Sequence, residues 1–274
     1  MKRNVKVALV WHNLNSANFG VGALAISHIS MLFQAATFAN VNLEIETIGS
    51  KEVAQLGVRE ELEMRVGQPI PHTNFSLRQF VRDAMKFRVP LLTKLRKFDL
   101  VLDIGEGDSF SDIYGKKRYA AHLLTKWISL VAGTRLMLCP QTIGPFSSPI
   151  VSFTAAFVMR RAVGVWARDD QSVGIATALG VYANGTTDVA FSLPYMERPV
   201  DPDAVGLNVS GLLLSGGYDG ANQFGLKLDY LEFCRKLVAA FRERGKTVHL
   251  IAHVIIESDV IEDDYRACLA LKDH

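Results

Sequence analysis

The chain has 274 residues, of which 49% are hydrophobic, and a formal net charge of +2. This length allows one large core or two moderate ones, and the near balance of charge gives little support to nucleic-acid binding. The three cysteines, Cys139, Cys234 and Cys268, are far apart. Their spacing excludes a disulfide framework and a cysteine metal site, and it favours a reducing, cytoplasmic compartment.

Two apolar stretches resemble targeting or membrane segments only superficially. The run after the basic start ends at His12, which is too early for a signal peptide and more typical of a first β-strand. The stretch at 127–139 contains Gly133, Thr134 and Arg135, so it is not expected to span a membrane. We expect a soluble protein.

Short apolar runs alternate along the chain with segments of helical spacing, which predicts an α/β fold with parallel sheets of the Rossmann-like type. The predicted strands cover residues 6–11, 41–48, 98–104, 134–139, 164–167, 187–193, 205–210 and 246–256. The predicted helices cover residues 23–38, 76–87, 119–131, 151–162, 172–179, 230–244 and 259–270.

The loop after the first predicted strand carries Asn18, Gly20 and Gly22. The third glycine of a dinucleotide-binding fingerprint is absent. Backbone N–H groups at the start of a helix, together with the helix dipole, favour a phosphate or carboxylate, and Asn18 could add an amide donor. A tight turn that begins the helix explains the two glycines equally well, so both interpretations stand.

The predicted helix at 76–87 and the residues after it are rich in basic side chains. These are Arg78, Arg82, Lys86, Arg88, Lys94, Arg96 and Lys97. They could form a face for an anionic partner, although such a run is more often a solvated helix surface.

The central loop follows the strand-like run FDLVLDI and combines glycine with acidic residues. It contains Gly105, Glu106, Gly107, Asp108, Ser109 and Asp112. Two glycines let the backbone turn sharply and approach a ligand closely, and open α/β sheets bind ligands at the carboxyl ends of their strands. A helix N-cap at Asp108 or Ser109 explains one of these residues, but it does not explain three acids in seven positions. We therefore expect a site in this loop.

Gln141, Thr142 and Gly144 follow the predicted strand at 134–139, in a turn bounded by two prolines. The prolines stiffen the turn and Gly144 lets it bend. Rigidly held polar groups beside a strand end are typical of a specificity element, although Thr142 could also cap the next helix.

Arg168 follows the predicted strand at 164–167 and is succeeded by Asp169 and Asp170. Its planar guanidinium suits bidentate contact with a phosphate or carboxylate. A structural pair with Asp169 or Asp188 is an equally good interpretation. Asp170 or Ser172 is the expected N-cap of the following helix.

Residues 194–202 contain three prolines and are predicted to be a linker. The sequence therefore predicts a first Rossmann-like domain over 1–198 and the start of a second over 199–274. Two strands and two helices are too few for an ordinary α/β domain. We expect either a truncated chain or a second half that another molecule completes.

Taken in order, the motifs of this chain resemble those of the polysaccharide pyruvyl transferase family. They are FDLVLDIGEGDSFSD, LMLCPQTIGPF, VWARDDQSV, TTDVAFSLP, VGLNVSGLL and HLIAHVI followed by EDD. The resemblance implies a two-domain fold of the glycosyltransferase-B type. It also implies transfer of the enolpyruvyl carbons of phosphoenolpyruvate to sugar hydroxyls, as a ketal, with release of phosphate.

Residue by residue, the family's N-terminal loop matches Asn18, Gly20 and Gly22, and its Arg-Asp-x-x-Ser motif matches Arg168, Asp169 and Ser172. The family's Gly-Gly-Gly-Asp motif reads Gly105, Glu106, Gly107 and Asp108 here. The glutamate could narrow the site or place a negative charge near an anionic donor.

The catalytic groups that the resemblance implies are less complete. His253 matches the histidine of the second domain's Pro-His-Val motif, with Ala252 in place of the proline. The family's later Arg-x-His motif, whose histidine is the favoured general acid, is absent. Histidine suits proton delivery near neutral pH, so His253 is a candidate, although a lone histidine at a strand end is more often structural.

The sequence therefore assigns roles to three groups of residues. Donor binding falls to Asn18, Gly20, Gly22, Gln141, Thr142, Gly144 and Arg168; catalysis to Glu106, Asp108 and His253; and the acceptor loop to Gly105, Gly107 and Asp112. Asp108 or Glu106 would orient or deprotonate the acceptor. No metal and no cofactor beyond phosphoenolpyruvate as co-substrate are expected, since no clustered ligand set occurs.

The expected partners are a glycan or lipid-linked sugar acceptor, with peripheral membrane association and a homo-oligomer both compatible with the sequence. Two other functions remain open: a glycosyltransferase of similar fold with a nucleotide-sugar donor, and a catalytically silent module that binds a glycan or partner.

Overall fold

The computed structural model describes residues 2–53, 56–107, 109–197, 199–256 and 261–272. The chain forms two compact units. The first comprises Met1–Ser16 with Gly20–Pro194, and the second comprises Ala17–Phe19 with Tyr195–His274. The predicted domain boundary at residues 198 and 199 stays a prediction.

The first unit alternates strands and helices along the chain. Its strands are β1 (Arg3–Val10), β2 (Val41–Gly49), β3 (His72–Asn74), β4 (Leu100–Asp103), β5 (Ser109–Phe110), β6 (Arg135–Ile143), β7 (Gly164–Ala167) and β8 (Asn184–Gly185). Its helices are α1 (Phe19–Phe38), α2 (Val58–Val66), α3 (Leu77–Ala84), α4 (Pro90–Leu95), α5 (Lys116–Val131), α6 (Pro149–Met159) and α7 (Asp170–Ala178).

Seven strands of this unit form a parallel sheet in the order β3-β2-β1-β4-β6-β7-β8. The short β5 pairs in parallel with the end of β6. The strand order reverses direction between β1 and β4, which is the topological switch point where open α/β sheets bind ligands. The fold is therefore α/β, as predicted, and consistent with a Rossmann-like or glycosyltransferase-B-like protein.

Helices cover both faces of the sheet, and the side chains of β1 show why. Ala8 and Val10 belong to one buried cluster, whereas Val7 and Leu9 belong to the other. Successive strand residues point to opposite faces, so a strand with both sets apolar must be covered on both sides.

Helix α1 lies on one of these faces. Its 20 residues are apolar enough to cross a membrane by length and composition, but half of the relevant window is buried inside the protein. Leu24, Ala25 and Ile29 pack in the same cluster as Val7 and Leu9. Core helices that pack on a sheet can be equally long and apolar, so the packing of α1 on the sheet explains its composition.

The second unit contains a two-stranded parallel sheet and three helices among its described residues. They are β9 (Ala204–Asn208), α8 (Gly211–Leu214), α9 (Tyr230–Glu243), β10 (Thr247–Ile251) and α10 (Asp264–Lys272). Its small core is built on Val209, Cys234, Ala267 and Cys268. Within this unit Asn18 forms an antiparallel bridge with Val254.

Several local predictions were wrong. The strand predicted at 187–193 is a short 3₁₀ turn, Val189–Ser192, because the Asp188 carboxylate caps it by accepting the Ala190 N–H. The strand predicted at 134–139 continues to Ile143, and Gly211–Leu214, outside every predicted element, forms α8. The N-cap of α7 is Asp169, not Asp170 or Ser172.

Candidate active site

Glu106 lies just beyond β4, at the switch point of the sheet, in a cluster of hydrogen-bond donors. Its φ of 57° is left-handed, which is uncommon for a residue with a side chain. The carboxylate accepts hydrogen bonds from the Asn13 amide and from the Ser50 hydroxyl, the latter at 2.5 Å. The Arg118 guanidinium lies 3.6 Å away. Glu106 thus binds the ends of β1 and β2 to the loop after β4.

His122 of α5 also contacts Glu106. Its ring stacks on that of Trp11, with centroids 4.2 Å apart, and its Nε2 lies 3.7 Å from Glu106. Burial lowers the pKa of His122 to about 4, so the ring is neutral at physiological pH. Burial raises the pKa of Glu106, but the neighbouring His122, Ser50 and Arg118 outweigh this effect, and the net pKa is lowered.

Gly105 and Gln141 are packed directly against each other. A Cβ at residue 105 would lie 2.6 Å from the Gln141 Oε1, and φ of Gly105 is +66°, so glycine is required twice over. Gln141 is 1% exposed, and its amide donates at 2.9 Å to the backbone oxygen of Asp103. Gln141 therefore joins β6 to β4 through a buried side chain, and its role in donor binding stays a prediction.

Beneath this turn lies a fully buried ion pair. The Lys126 Nζ is 2.9 Å from the Asp103 carboxylate, and both side chains have no exposed area. The same ammonium lies 4.3 Å from the centre of the Phe110 ring. Asp103 also accepts a hydrogen bond from the Gly105 N–H at 3.0 Å. The pair fixes the direction in which the chain leaves β4.

Arg168, Thr142 and Gly144 meet at the carboxyl ends of β6 and β7, where they line a cavity of about 160 Å³. The Arg168 Nε donates to the Thr142 hydroxyl at 2.7 Å, and its NH1 lies 3.0 Å from the Asp188 carboxylate. The Arg168 side chain is 28% exposed. Arg168 therefore pairs with Asp188, as one of the two interpretations predicted, and it also lines the cavity; its contact with a phosphate or carboxylate stays a prediction.

The two residues after Arg168 in its motif hold this cavity in shape. Asp169 accepts the Ser172 N–H at 2.7 Å and so caps α7. The Ser172 hydroxyl in turn accepts the Ile143 N–H at 2.9 Å. Gly144 has φ +71°, and a Cβ there would come within 2.9 Å of Ile175. Helix α7 is thus fastened to the end of β6.

The remaining residues of the acidic loop have different positions. Asp112 is buried and accepts from the backbone and hydroxyl of Ser147, so it fixes the turn after β6. Gly107 ends a short 3₁₀ turn that starts at Gly105. Asp108 lies outside the described residues.

The first-loop glycines are not in a loop. Helix α1 begins at Phe19, so Gly20 and Gly22 lie in its first turns, and Gly22 is buried. Asn18 belongs to the second unit, as does His253. His253 is exposed two residues beyond β10, and its backbone N–H donates to the Asp264 carboxylate at 3.1 Å.

The first unit thus brings together Gly105, Glu106 and Gln141 at one strand end, and Thr142, Gly144 and Arg168 at the next. Asn13, Ser50, Arg118 and His122 were not predicted. Asn13 and Ser50 follow β1 and β2, far from Glu106 in sequence, and the strand order brings them to it. Arg118 and His122 lie in α5, the helix that follows the acidic loop. Among the residues that the structure describes, no group of three histidine, cysteine or acidic side chains could hold a metal ion.

Comparison with known proteins identifies the family. The model of the family described as polysaccharide pyruvyl transferase matches residues 41–273, nearly the whole chain. The match includes β4, β6 and β7 with their loops, and the part of the second unit that carries His253, whereas Asn18, Gly20 and Gly22 precede it. No curated protein matches the chain. On the strength of the family match, this chain belongs to the polysaccharide pyruvyl transferase family.

Proposed function

We propose that the chain transfers the enolpyruvyl carbons of phosphoenolpyruvate to two hydroxyls of one sugar in a polysaccharide or its precursor, forming a cyclic ketal. The observation that carries this proposal is the cavity at the ends of β6 and β7, with Arg168 on its wall. Phosphoenolpyruvate bears a phosphate and a carboxylate, and a guanidinium recognises either with paired hydrogen bonds.

The chemistry requires one proton delivery and two additions. A proton is added to C3 of the donor, which becomes a methyl group, and C2 becomes the electrophile. One sugar hydroxyl forms a bond to C2, the C2–O bond to phosphate breaks, and the second hydroxyl forms the other bond to C2. The two hydroxyls lose two protons; one balances the proton placed on C3, and the other leaves with phosphate.

Arg168 is the donor-binding group in this proposal. Thr142 and Asp188 hold its guanidinium by hydrogen bonds at 2.7 and 3.0 Å, so its orientation is set before the donor arrives, which reduces the cost of binding. A dianionic donor would share or replace the contact with Asp188. Gly144, without a side chain, keeps the rim of the cavity open beside it.

The proton-transfer groups follow from charge and exposure. Glu106 has a lowered pKa, accepts hydrogen bonds from Asn13 and Ser50, and lies 3.6 Å from Arg118. It is therefore a weak base, and we assign it the positioning of Asn13 and Ser50. Asp108 keeps the role of orienting or deprotonating the acceptor. His253 is exposed and is proposed to deliver the proton to C3.

The decisive experiment measures phosphate release from phosphoenolpyruvate with sugar acceptors, alongside the shift in melting temperature that phosphoenolpyruvate alone causes. The wild-type chain should show both. Arg168→Lys should weaken donor binding by about 10-fold to 100-fold, because it loses the paired geometry of a charged hydrogen bond. Arg135→Lys is the control, since Arg135 is exposed at the opposite end of β6.

Two results would contradict the proposal. A nucleotide sugar that raises the melting temperature when phosphoenolpyruvate does not would indicate a glycosyltransferase. Stabilisation by neither compound, with no phosphate released, would indicate a binding module.

A further inference from the structure

Helix α3 has one face in the protein and one in solvent. The Phe80 ring packs against the core cluster that contains Ala8 and Val10. The centroids of the Phe80 and Phe75 rings are 6.4 Å apart. Arg78, Val81 and Arg82 are exposed. Residues three and four positions apart share a helix face, so Arg78, Arg82 and the exposed Met85 form a continuous outward surface.

The turn after α3 places an aromatic ring on this surface. The Arg88 N–H donates to the Asp83 oxygen and the Phe87 N–H to the Ala84 oxygen, both at 2.9 Å. This is the Schellman pattern, in which the left-handed residue is usually glycine. Here that residue is Phe87, with φ 54°. Its side chain is 99% exposed, and that of Met85 is 78% exposed.

A phenylalanine in this position gains nothing from the fold. Its backbone conformation is disfavoured for a residue with a Cβ. Because Phe87 is 99% exposed among the described residues, packing of its ring does not offset this cost. Strained positions with exposed functional groups point to a role outside the fold.

The charge around Phe87 is strongly positive. Residues 76–98 contain seven basic side chains and one acidic side chain. Lys94 is paired with Glu46. In the part of the chain that the structure describes, no carboxylate lies within ion-pair distance of Arg78, Arg82, Lys86 or Arg88, and the single acid, Asp83, accepts from Gln79.

We propose that this patch, formed by Arg78, Val81, Arg82, Met85, Lys86, Phe87 and Arg88, binds the surface of a membrane containing anionic lipid. The aromatic ring and the methionine would enter the boundary between headgroups and acyl chains, and the basic side chains would contact lipid phosphates. Exposed apolar side chains inside a basic surface fit a bilayer better than a purely polar polyanion, which would leave them in water.

The test is co-sedimentation of the full chain with vesicles of phosphatidylcholine alone and of phosphatidylcholine mixed with phosphatidylglycerol. We expect binding only to the mixed vesicles, and weaker binding at high salt. Replacing Arg82 and Lys86 by glutamine should weaken binding by about 5-fold for each charge removed.

Phe87→Gly separates membrane binding from folding. Glycine is preferred in this turn, so the variant should fold at least as well as the wild type, yet bind mixed vesicles about 10-fold more weakly. Phe38→Gly is the matched control: Phe38 is 96% exposed at the end of α1 and has no charged neighbour within three residues. Its removal should leave vesicle binding unchanged.

Equal binding of Phe87→Gly and wild type to mixed vesicles would overturn the proposal, as would binding to an acidic peptide or to heparin without binding to vesicles. Binding to phosphatidylcholine alone, insensitive to salt, would also contradict the role of the basic residues.

Discussion

Glu106 shows how the fold accommodates a residue with a side chain in a left-handed conformation. A left-handed conformation costs a residue with a Cβ about 1–2 kcal/mol relative to its usual helical backbone. The hydrogen bonds from Asn13 and Ser50, with Arg118 nearby, offset this cost, because hydrogen bonds to a charged group contribute about 1.5–3 kcal/mol.

The role of Glu106 leads to a prediction about stability. Glu106→Gln keeps the shape and the acceptor oxygen but removes the charge, so it should lower the free energy of unfolding by about 1–3 kcal/mol at neutral pH. Urea unfolding followed by tryptophan fluorescence measures this in the first unit, since Trp11, Trp127 and Trp166 all belong to it. Glu197→Gln, in an exposed segment, should change stability by less than about 0.5 kcal/mol; equal effects of the two variants would contradict the role of the cluster.

At the scale of elements, the sequence predicted most strands and helices of the first unit because their apolar spacing is regular. It missed β3, β5 and β8, which have three, two and two residues and are too short to show a period. It also missed the helices α2 and α4, in which only Leu62 and Leu95 are buried, because so few core residues leave little apolar spacing. The strand prediction at 187–193 was wrong because the Asp188 carboxylate accepts the Ala190 N–H. This local hydrogen bond favours a turn despite the apolar pattern.

The candidate site was predictable only in part, for a related reason. Arg168 and Thr142 follow strands that could be recognised, so their meeting at one sheet edge was foreseeable from parallel pairing. Nothing local indicates that Asn13 and Ser50 approach Glu106, since 93 and 56 residues separate them from it. Strand order brings them together, and it is a property of the whole sheet.

The prediction at the scale of elements concerns the hydrogen bond that joins α7 to β6, in which the Ile143 N–H donates to the Ser172 hydroxyl. Ser172→Ala removes the acceptor of the buried Ile143 N–H, so it should lower the free energy of unfolding by about 1–3 kcal/mol. The end of β6 bears Thr142 and Gly144, so the same change should weaken the stabilisation by phosphoenolpyruvate. Ser152 lies in the first turn of α6. Ser152→Ala is the control and should affect neither measurement. Unaltered donor binding by the Ser172→Ala chain would show that this hydrogen bond does not shape the cavity.

At the scale of the whole molecule, three buried histidines connect the fold to pH. Burial lowers the pKa of His28 and of His122 to about 4, and burial, followed by the charge of His28, lowers the pKa of His12 well below its usual value. His12 and His28 also share a hydrogen bond of 2.7 Å. Each ring is therefore neutral in the native state, whereas in the unfolded chain it takes up a proton near pH 6.5.

The sign of the effect follows from proton binding. Below about pH 6.5 the unfolded state binds more protons than the native state, so stability is complete above this pH and falls as the pH drops toward about 4. Each histidine contributes a slope of about 1.4 kcal/mol per pH unit within that window.

His122→Phe retains a ring to stack on Trp11 but cannot titrate. The lowered pKa of His72 adds a contribution of the same sign as those of the three buried histidines. The free energy of unfolding of His122→Phe, measured by tryptophan fluorescence at about pH 7 and about pH 5.5, should therefore change with pH by about one quarter to one third less than that of the wild type. His249→Gln, exposed in the second unit, should retain the full slope, and a His122→Phe slope equal to the wild type would mean that another group sets the acid sensitivity of the fold.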